Sequence, residues 1–509
     1  MSTVSSPTVI TKHGGASASL SQQYWSSELV DSAAWEELVA RLGKGETVLL
    51  GLWAEPQRVY LAYSPPGDSD LRVASFEVEH RSFPSVARVH LPALRLERSI
   101  QDLFRLRAVG TPDDRPWLDH GTWPSVHQLG MPGATTPGHS DYKFLPVDGD
   151  DLHEVPVGPV HAGIIEPGHF RFTVSGETVI RLEERLGYTH KGIQELMRAA
   201  SLERASRLAG RVSGDSTVTY AWAFSRAVEM ATGTEPPSRA VWLRALMAEL
   251  ERIANHFGDI GGVCNDVAFT MLHAYFGALR ERVLACADTC FGHRLMMDQV
   301  LPGGVASDLS SSGVTVLNDL VHECRAQFGE LVELYDNTAS LQDRVARTGV
   351  VKRELAMRFG CGGFVGRASG RSFDTRRAFP YAPYDQLEFI VPVREEGDVN
   401  ARVWIRIREV EQSFSLIEQI LARLPEGPVR TEVNQRPGSH AEGLSLVEGF
   451  RGDVLAWVRM NGDEVAACHL RDPSWFQWPV LEAAIEGNII ADFPVCNKSF
   501  NCSYSGHDL

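Results

Sequence analysis

The chain has 509 residues, 43% of them hydrophobic and 22% charged, an ordinary balance for a globular protein long enough for two or more domains. Its net charge of −16 argues against a nucleic-acid partner. Eight cysteines in a chain of this length, none in a Cys-x-x-Cys pair, make no disulfide framework, and no run of about 18 apolar residues is present to span a bilayer.

Residues 1–24 are rich in Ser, Ala and Gly, with no basic start leading into an apolar stretch. They are expected to form a flexible N-terminus without a signal peptide, and a reducing cytoplasmic compartment fits the cysteine usage. Residues 25–124 mix short apolar runs with a helical pattern. Strands are expected over Glu46–Trp53 and Arg58–Tyr63, on either side of a break at Pro56, and a helix over Leu94–Leu106 with Leu94, Ile100, Leu103 and Phe104 as its apolar residues. Residues 125–159, with Pro132-Gly133, Pro137-Gly138 and an acidic cluster at Asp148–Asp151, read as a linker between two docked domains.

The second domain, 160–509, is expected to open with a hairpin: Phe170–Val174, a turn at Ser175-Gly176, and Thr178–Leu182. Helical spacing follows in Arg239–Phe257, where Leu243, Leu246, Met247, Leu250, Ile253, Ala254 and Phe257 recur at three and four. Pro236-Pro237-Ser238 marks the start of this helix and Gly258 its end. Thr270–Met297 and Ser310–Leu341 read the same way, and Cys286 and Cys290, four apart on one helix face, read as core cysteines. Phe389–Arg394 and Arg451–Arg459 read as short strands. The fold class is α+β, a small α/β domain followed by a mainly helical domain with minor β-sheet.

Ordered short motifs extend the reading. Glu97–Phe104 and Asp113-Asp-Arg-Pro-Trp-Leu118 resemble the small accessory subunit of respiratory complex I. Gly158-Pro-Val-His161, Glu166-Pro-Gly-His-Phe170 and Gly187-Tyr-Thr-His-Lys-Gly192 resemble the start of the complex I quinone-pocket subunit, and Glu249–His256, Pro302-Gly303-Gly304, Glu448–Asp453 and Glu486–Ile489 are further agreements with the same family. The chain as a whole is similar to the large subunit of membrane-bound, energy-converting nickel–iron hydrogenases of the formate-hydrogenlyase type, in which the two modules are fused.

That resemblance implies a peripheral subunit on the cytoplasmic side of a complex-I-like membrane oxidoreductase, not active alone. It would pack on a small iron–sulfur subunit and on membrane subunits of the ion-translocating, antiporter-like kind. It would bind no cofactor itself, the cluster lying in the partner, and would couple electron transfer, to quinone or another small acceptor, to proton translocation. A non-catalytic scaffold joining a soluble module to the membrane arm is the other reading.

The departures from the family carry as much as the agreements. The family's nickel–iron cysteines fall at Ser213, Ser216, Ser503 and Gly506, in Arg211–Ser216 and Ser499–Gly506. Nickel of this kind is bound by soft thiolates; serine hydroxyls are hard, weak ligands and glycine has no side chain, so no metal is expected at this degenerate site. The chain stops three residues beyond Gly506, so no maturation cleavage is expected. Cys496 and Cys502 leave open a rearranged two-cysteine site. The complex I quinone tyrosine falls at Gly214, and its histidine at either His161 or His169. Tyr504 and His507 are expected to supply a substitute pair. Candidates for proton handling are Glu166, His161, His169, His190, Asp215 and Asp492. Glu166 reads alternatively as a structural ion pair with Arg171 or Arg211. Asp215, inside the former ligand motif, is expected to titrate high if its pocket is dry. His190-Lys191 resembles a His-Arg pair that faces the partner's cluster, and Arg211 is expected near that cluster too.

Overall fold

The computed structural model describes residues 27–65, 69–121, 123, 129, 142–163, 165–434 and 440–509. The N-terminus expected to be flexible, and much of the expected linker, lie outside them. About 47% of the chain is helical and 19% strand, as an α+β chain requires.

The N-terminal unit is a four-stranded sheet in the order Glu28–Val30, Arg72–Glu77, Arg58–Ser64, Val48–Glu55, its first pair parallel and the others antiparallel. The two runs expected to be strands form the inner strand Arg58–Ser64 and the edge strand Val48–Glu55 beside it. Helices Ser32–Gly43 and Leu94–Phe104 cover it. Asp31 caps the first, its side chain accepting from the Ala34 N–H at 2.9 Å. Leu152–Val157, the end of the expected linker, is not linker. It pairs with His169–Ser175, which turns into Thr178–Arg185, so the predicted hairpin supplies the middle strand and one edge of a three-stranded sheet.

The helical body is built on Thr217–Thr232, Ser238–Asp266, Thr270–Phe291, Ser311–Asn337 and Val399–Arg423. Ser238–Asp266 starts where Pro236-Pro237-Ser238 marks it but runs through Gly258. Gly258, Gly261 and Gly262 serve close packing: a Cβ on Gly261 would lie 3.0 Å from Phe276 Cβ, and one on Gly258 3.2 Å from the Arg280 side chain. Thr270–Phe291 stops at Gly292, whose φ of 74° ends it earlier than the apolar pattern suggests. The third pattern splits at Thr338 into Ser311–Asn337 and Ala339–Val345. A second four-stranded sheet, Ala200–Ser201, Glu464–Arg471, Gly452–Asn461 and His440–Gly449, packs against Thr217–Thr232.

Phe389–Arg394 forms no strand. Its Ile390 N–H donates to Gln412 Oε1 and its Arg394 N–H to the Arg367 carbonyl, and Pro392 brings none. One apolar core spans the N-terminal unit and the rest, joining Trp35, Leu96 and Trp117 with Phe170, Trp478, Phe493 and Phe500. Among the described residues no helix is long and apolar enough to cross a membrane.

Candidate functional site

Residues almost 300 apart in sequence meet at the two degenerate segments. Arg211–Ser216 is the loop that enters helix Thr217–Thr232. The buried Glu251 carboxylate caps that helix, accepting from the Val218 and Thr219 N–H groups at 2.7 and 3.1 Å. At the other end of the chain, helix Phe493–Phe500 ends at Asn501, and Ser503 caps the short helix Tyr504–Asp508 by accepting from the Gly506 N–H at 2.8 Å. Ser503 Oγ lies 3.3 Å from Ser213 Oγ. The four former ligand positions are therefore brought to one place, as the resemblance implies.

What fills that place is an ion pair. Asp215 Oδ1 accepts from Ser213 Oγ at 2.7 Å, Ser216 Oγ at 3.0 Å and Arg451 Nη1 at 2.9 Å, and its Oδ2 accepts from Arg451 Nη2 at 2.5 Å. Arg451 stands in the turn between strands His440–Gly449 and Gly452–Asn461 and donates Nε to the Asn501 carbonyl at 2.5 Å. On the far side Asp472 accepts from the Tyr220 hydroxyl at 2.5 Å and the Ser474 N–H at 2.8 Å.

The expectation that Asp215 titrates high is wrong. Burial alone would raise its pKa, but the Arg451 charge, with hydrogen bonds from Arg451, Ser213 and Ser216, overrides it and holds the carboxyl at about 2. Nor does the site suit a nickel–iron centre. The serine hydroxyls are committed to Asp215 and to each other, and a Cβ at Gly506 would come within 2.5 Å of Asp472 Oδ2. Cys496 and Cys502 lie in the apolar core that holds Phe493, Phe500 and Tyr504. Both thiols are buried, and burial pushes Cys496 up to about 11 and Cys502 well above its ordinary value. Among the described residues no group of three or more His, Cys, Asp or Glu is placed to hold a metal.

The other predicted residues divide. His161, half-buried, has Nε2 3.5 Å from the Tyr504 hydroxyl, so the tail tyrosine meets the earlier of the two candidate histidines. Glu166 reaches the same tail: its Oε2 accepts from the Ser505 N–H at 3.1 Å. The alternative ion pair for Glu166 is not made, because Arg171 is taken by Glu154 and Arg211 by Asp298. His169 turns aside to the Gly158 carbonyl at 3.3 Å.

His507 does not pair with Tyr504. Its Nε2 accepts from Trp117 Nε1 at 3.2 Å, its Nδ1 donates to Asp508 at 2.8 Å, and its ring stacks on Trp475 with centroids 4.0 Å apart. Its role here is structural, and burial lowers its pKa against the opposing pull of Asp508. Asp508 in turn accepts from the Gly187 and Thr189 N–H groups, which pins the tail to the loop carrying His190 and Lys191. His190 contacts the Asp508 carbonyl at 2.7 Å and stacks on Trp123. Lys191 donates Nζ to the Arg211 and Val212 carbonyls at 3.0 and 2.5 Å, so these residues do border the degenerate site. Asp492 pairs with Arg344 and takes no part.

Sequence reasoning passed over Arg451, Asp472, Tyr220 and Glu251. Arg451 lies inside the Glu448–Asp453 motif, so a signal for it was present. The Glu249–His256 motif proves structural: Glu249 accepts from Arg376, Tyr384 and Ser413, Arg252 donates to the Glu448 and Gly449 carbonyls, and His256 bonds Glu409 at 2.7 Å.

Comparison with known proteins agrees with the geometry. Residues 266–442 match the family described as respiratory-chain NADH dehydrogenase, 49 Kd subunit. The chain is 30% identical to hydrogenase-4 component G of Escherichia coli over 92% of its own length and 82% of that protein's. It is 31% identical to formate hydrogenlyase subunit 5 of the same organism, over 84% and 77%. A chain in the structure of the membrane-bound sulfane sulfur reductase, an archaeal respiratory membrane complex, superposes with a TM-score of 0.66 at 27% identity, over 72% of this chain and 100% of that one. The chain belongs to the family of complex-I-like, hydrogenase-related oxidoreductase large subunits.

Proposed function

From that membership we propose that the chain is a peripheral subunit on the cytoplasmic side of a complex-I-like membrane oxidoreductase complex, without hydrogenase activity of its own. It borders an electron-acceptor site beside the iron–sulfur cluster of a small partner subunit, and it transmits the redox change to antiporter-like membrane subunits. The observation that carries the loss of hydrogen chemistry is the Asp215–Arg451 pair, which satisfies and fills the place of the former ligands.

Quinone is the acceptor class this reading favours. Reduction of a quinone takes two electrons and two protons, and His161 with the Tyr504 hydroxyl offers a hydrogen-bonding pair for its carbonyl oxygen. Neighbouring Val160 is 75% exposed, an apolar surface on the same loop. The scaffold reading gains from the same ion pair, since a closed site needs no chemistry.

The two separate in one experiment. The complex, purified with its partners, is given a reduced donor and a short-chain quinone. Quinone reduction that falls on the order of a hundredfold in Tyr504→Phe and His161→Ala supports the acceptor site. Reduction that both variants leave unchanged, or none at all in the intact complex, removes it.

A further inference from the structure

A second buried acid–arginine group lies where helix Leu94–Phe104 of the N-terminal unit meets the rest of the chain. Arg95 donates Nη1 to Glu184 Oε2 at 3.0 Å and Nη2 to Glu482 Oε1 at 2.7 Å, and the same Glu482 oxygen accepts the Glu184 backbone N–H at 2.8 Å. Here two acids share one guanidinium. The Glu184 side chain has no exposed surface, and its other oxygen, Oε1, is buried without a hydrogen-bond partner.

The neighbouring charges are engaged elsewhere. Glu183 is held by Arg115 at 2.7 Å, Arg98 is paired with Asp113, and Arg185 is turned to the backbone carbonyls of Pro116, Trp117 and Asp119. Tyr142 and His507 act on Arg95 only through their fields, and Trp117 covers the guanidinium, 4.6 Å from ring centroid to Cζ. With both acids ionised, the group would carry one uncompensated negative charge and a bare carboxylate oxygen in a dry place, which is costly. One proton removes the excess charge and leaves a neutral carboxyl in place of a bare carboxylate oxygen, while Glu184 Oε2 keeps its bond from Arg95.

We propose that Glu184 and Glu482 form a proton-binding site that holds one proton at neutral pH, seated on Glu184. Burial raises Glu184 well above the usual carboxyl range and Glu482 with it; repulsion from Glu482 adds to the rise at Glu184, and repulsion from Glu183 to that at Glu482. The Glu184 charge also reaches Tyr504 and Cys502 in the tail, so a proton here is electrically linked to the acceptor-facing hydroxyl. That link, unlike the proton itself, rests on the function proposed above.

Infrared spectroscopy of the complex at neutral pH tests the proposal. The wild type is expected to show the C=O stretch of a neutral buried carboxylic acid, shifted in heavy water and missing from Glu184→Gln. In Glu482→Gln the band is also expected to vanish, because Glu184 then has Arg95 to itself and ionises. A Glu184→Gln spectrum identical to the wild type overturns the proposal, and so does a band that persists in Glu482→Gln. Glu482 is 23% exposed, so that variant carries the test if Glu184→Gln does not fold. A band present in the oxidised complex but unmoved when the partner's clusters are reduced leaves the proton site standing and removes only its link to the proposed function.

Discussion

Two buried acid–arginine groups, Asp215–Arg451 and Glu184–Arg95–Glu482, flank the C-terminal tail, and they differ by one carboxylate. In the first, one acid faces one guanidinium and two serine hydroxyls, and its pKa falls to about 2. In the second, two acids divide one guanidinium, and both rise. Burial pushes every one of these carboxyls upward. The count of compensating charges decides which way each one finally moves. The first group is thus a fixed, always-ionised plug in the place of a metal, and the second is a group that can change its charge.

The comparison can be broken most forcefully at Arg451. Arg451→Met leaves Asp215 without its cation, and breaking such a pair costs about 3–5 kcal/mol when fully buried. Asp215 keeps 34% of its side chain exposed, so the lower end, about 3 kcal/mol, is expected in thermal or denaturant unfolding. A loss under about 1 kcal/mol would mean that the pair does not hold the two segments together.

A pH series sharpens the contrast. The lowered pKa of Asp215 stabilises the fold at every pH above its ordinary value of 3.8, and that share is lost as pH falls from there toward 2. Asp215→Asn should flatten the acid limb of the stability curve. The raised pKa values of Glu184 and Glu482 act with the opposite sign, weakening the fold as pH rises beyond the usual glutamate range. The stability of Glu184→Gln relative to wild type should therefore improve with rising pH. Curves that run parallel to wild type in both variants would contradict the charge count.

The smallest effect is expected at Arg211, the first residue of the Arg211–Ser216 segment. It pairs with Asp298 in solvent, each side chain 38% exposed, so Arg211→Ala should shift stability by no more than about 1 kcal/mol.

These contrasts also mark what sequence reasoning could reach. The long helix Ser238–Asp266 is visible because its apolar residues repeat at three and four, yet its end is not, since Gly258, Gly261 and Gly262 look like terminators and act as packing faces. Phe389–Arg394 has the composition of a strand, but Ile390 is 75% exposed and its N–H is bonded by a glutamine side chain, a tertiary choice that periodicity does not carry. The four former ligand positions are legible because the motifs fix them. The plug is not: Asp215 and Arg451 are 236 residues apart, and the spacing within either motif says nothing of the other. The pairing of Tyr504 with His507 fails, because closeness along the tail hides that the His507 ring turns inward between Trp117 and Trp475.

The most direct test of the account is elemental analysis for nickel and iron of the complex purified with this chain in it. Iron without nickel is the predicted result, with all metal in partner subunits. Nickel in a one-to-one ratio with the chain would contradict it, because the Asp215–Arg451 pair would then have to open and the serines give way to a metal site built from other groups.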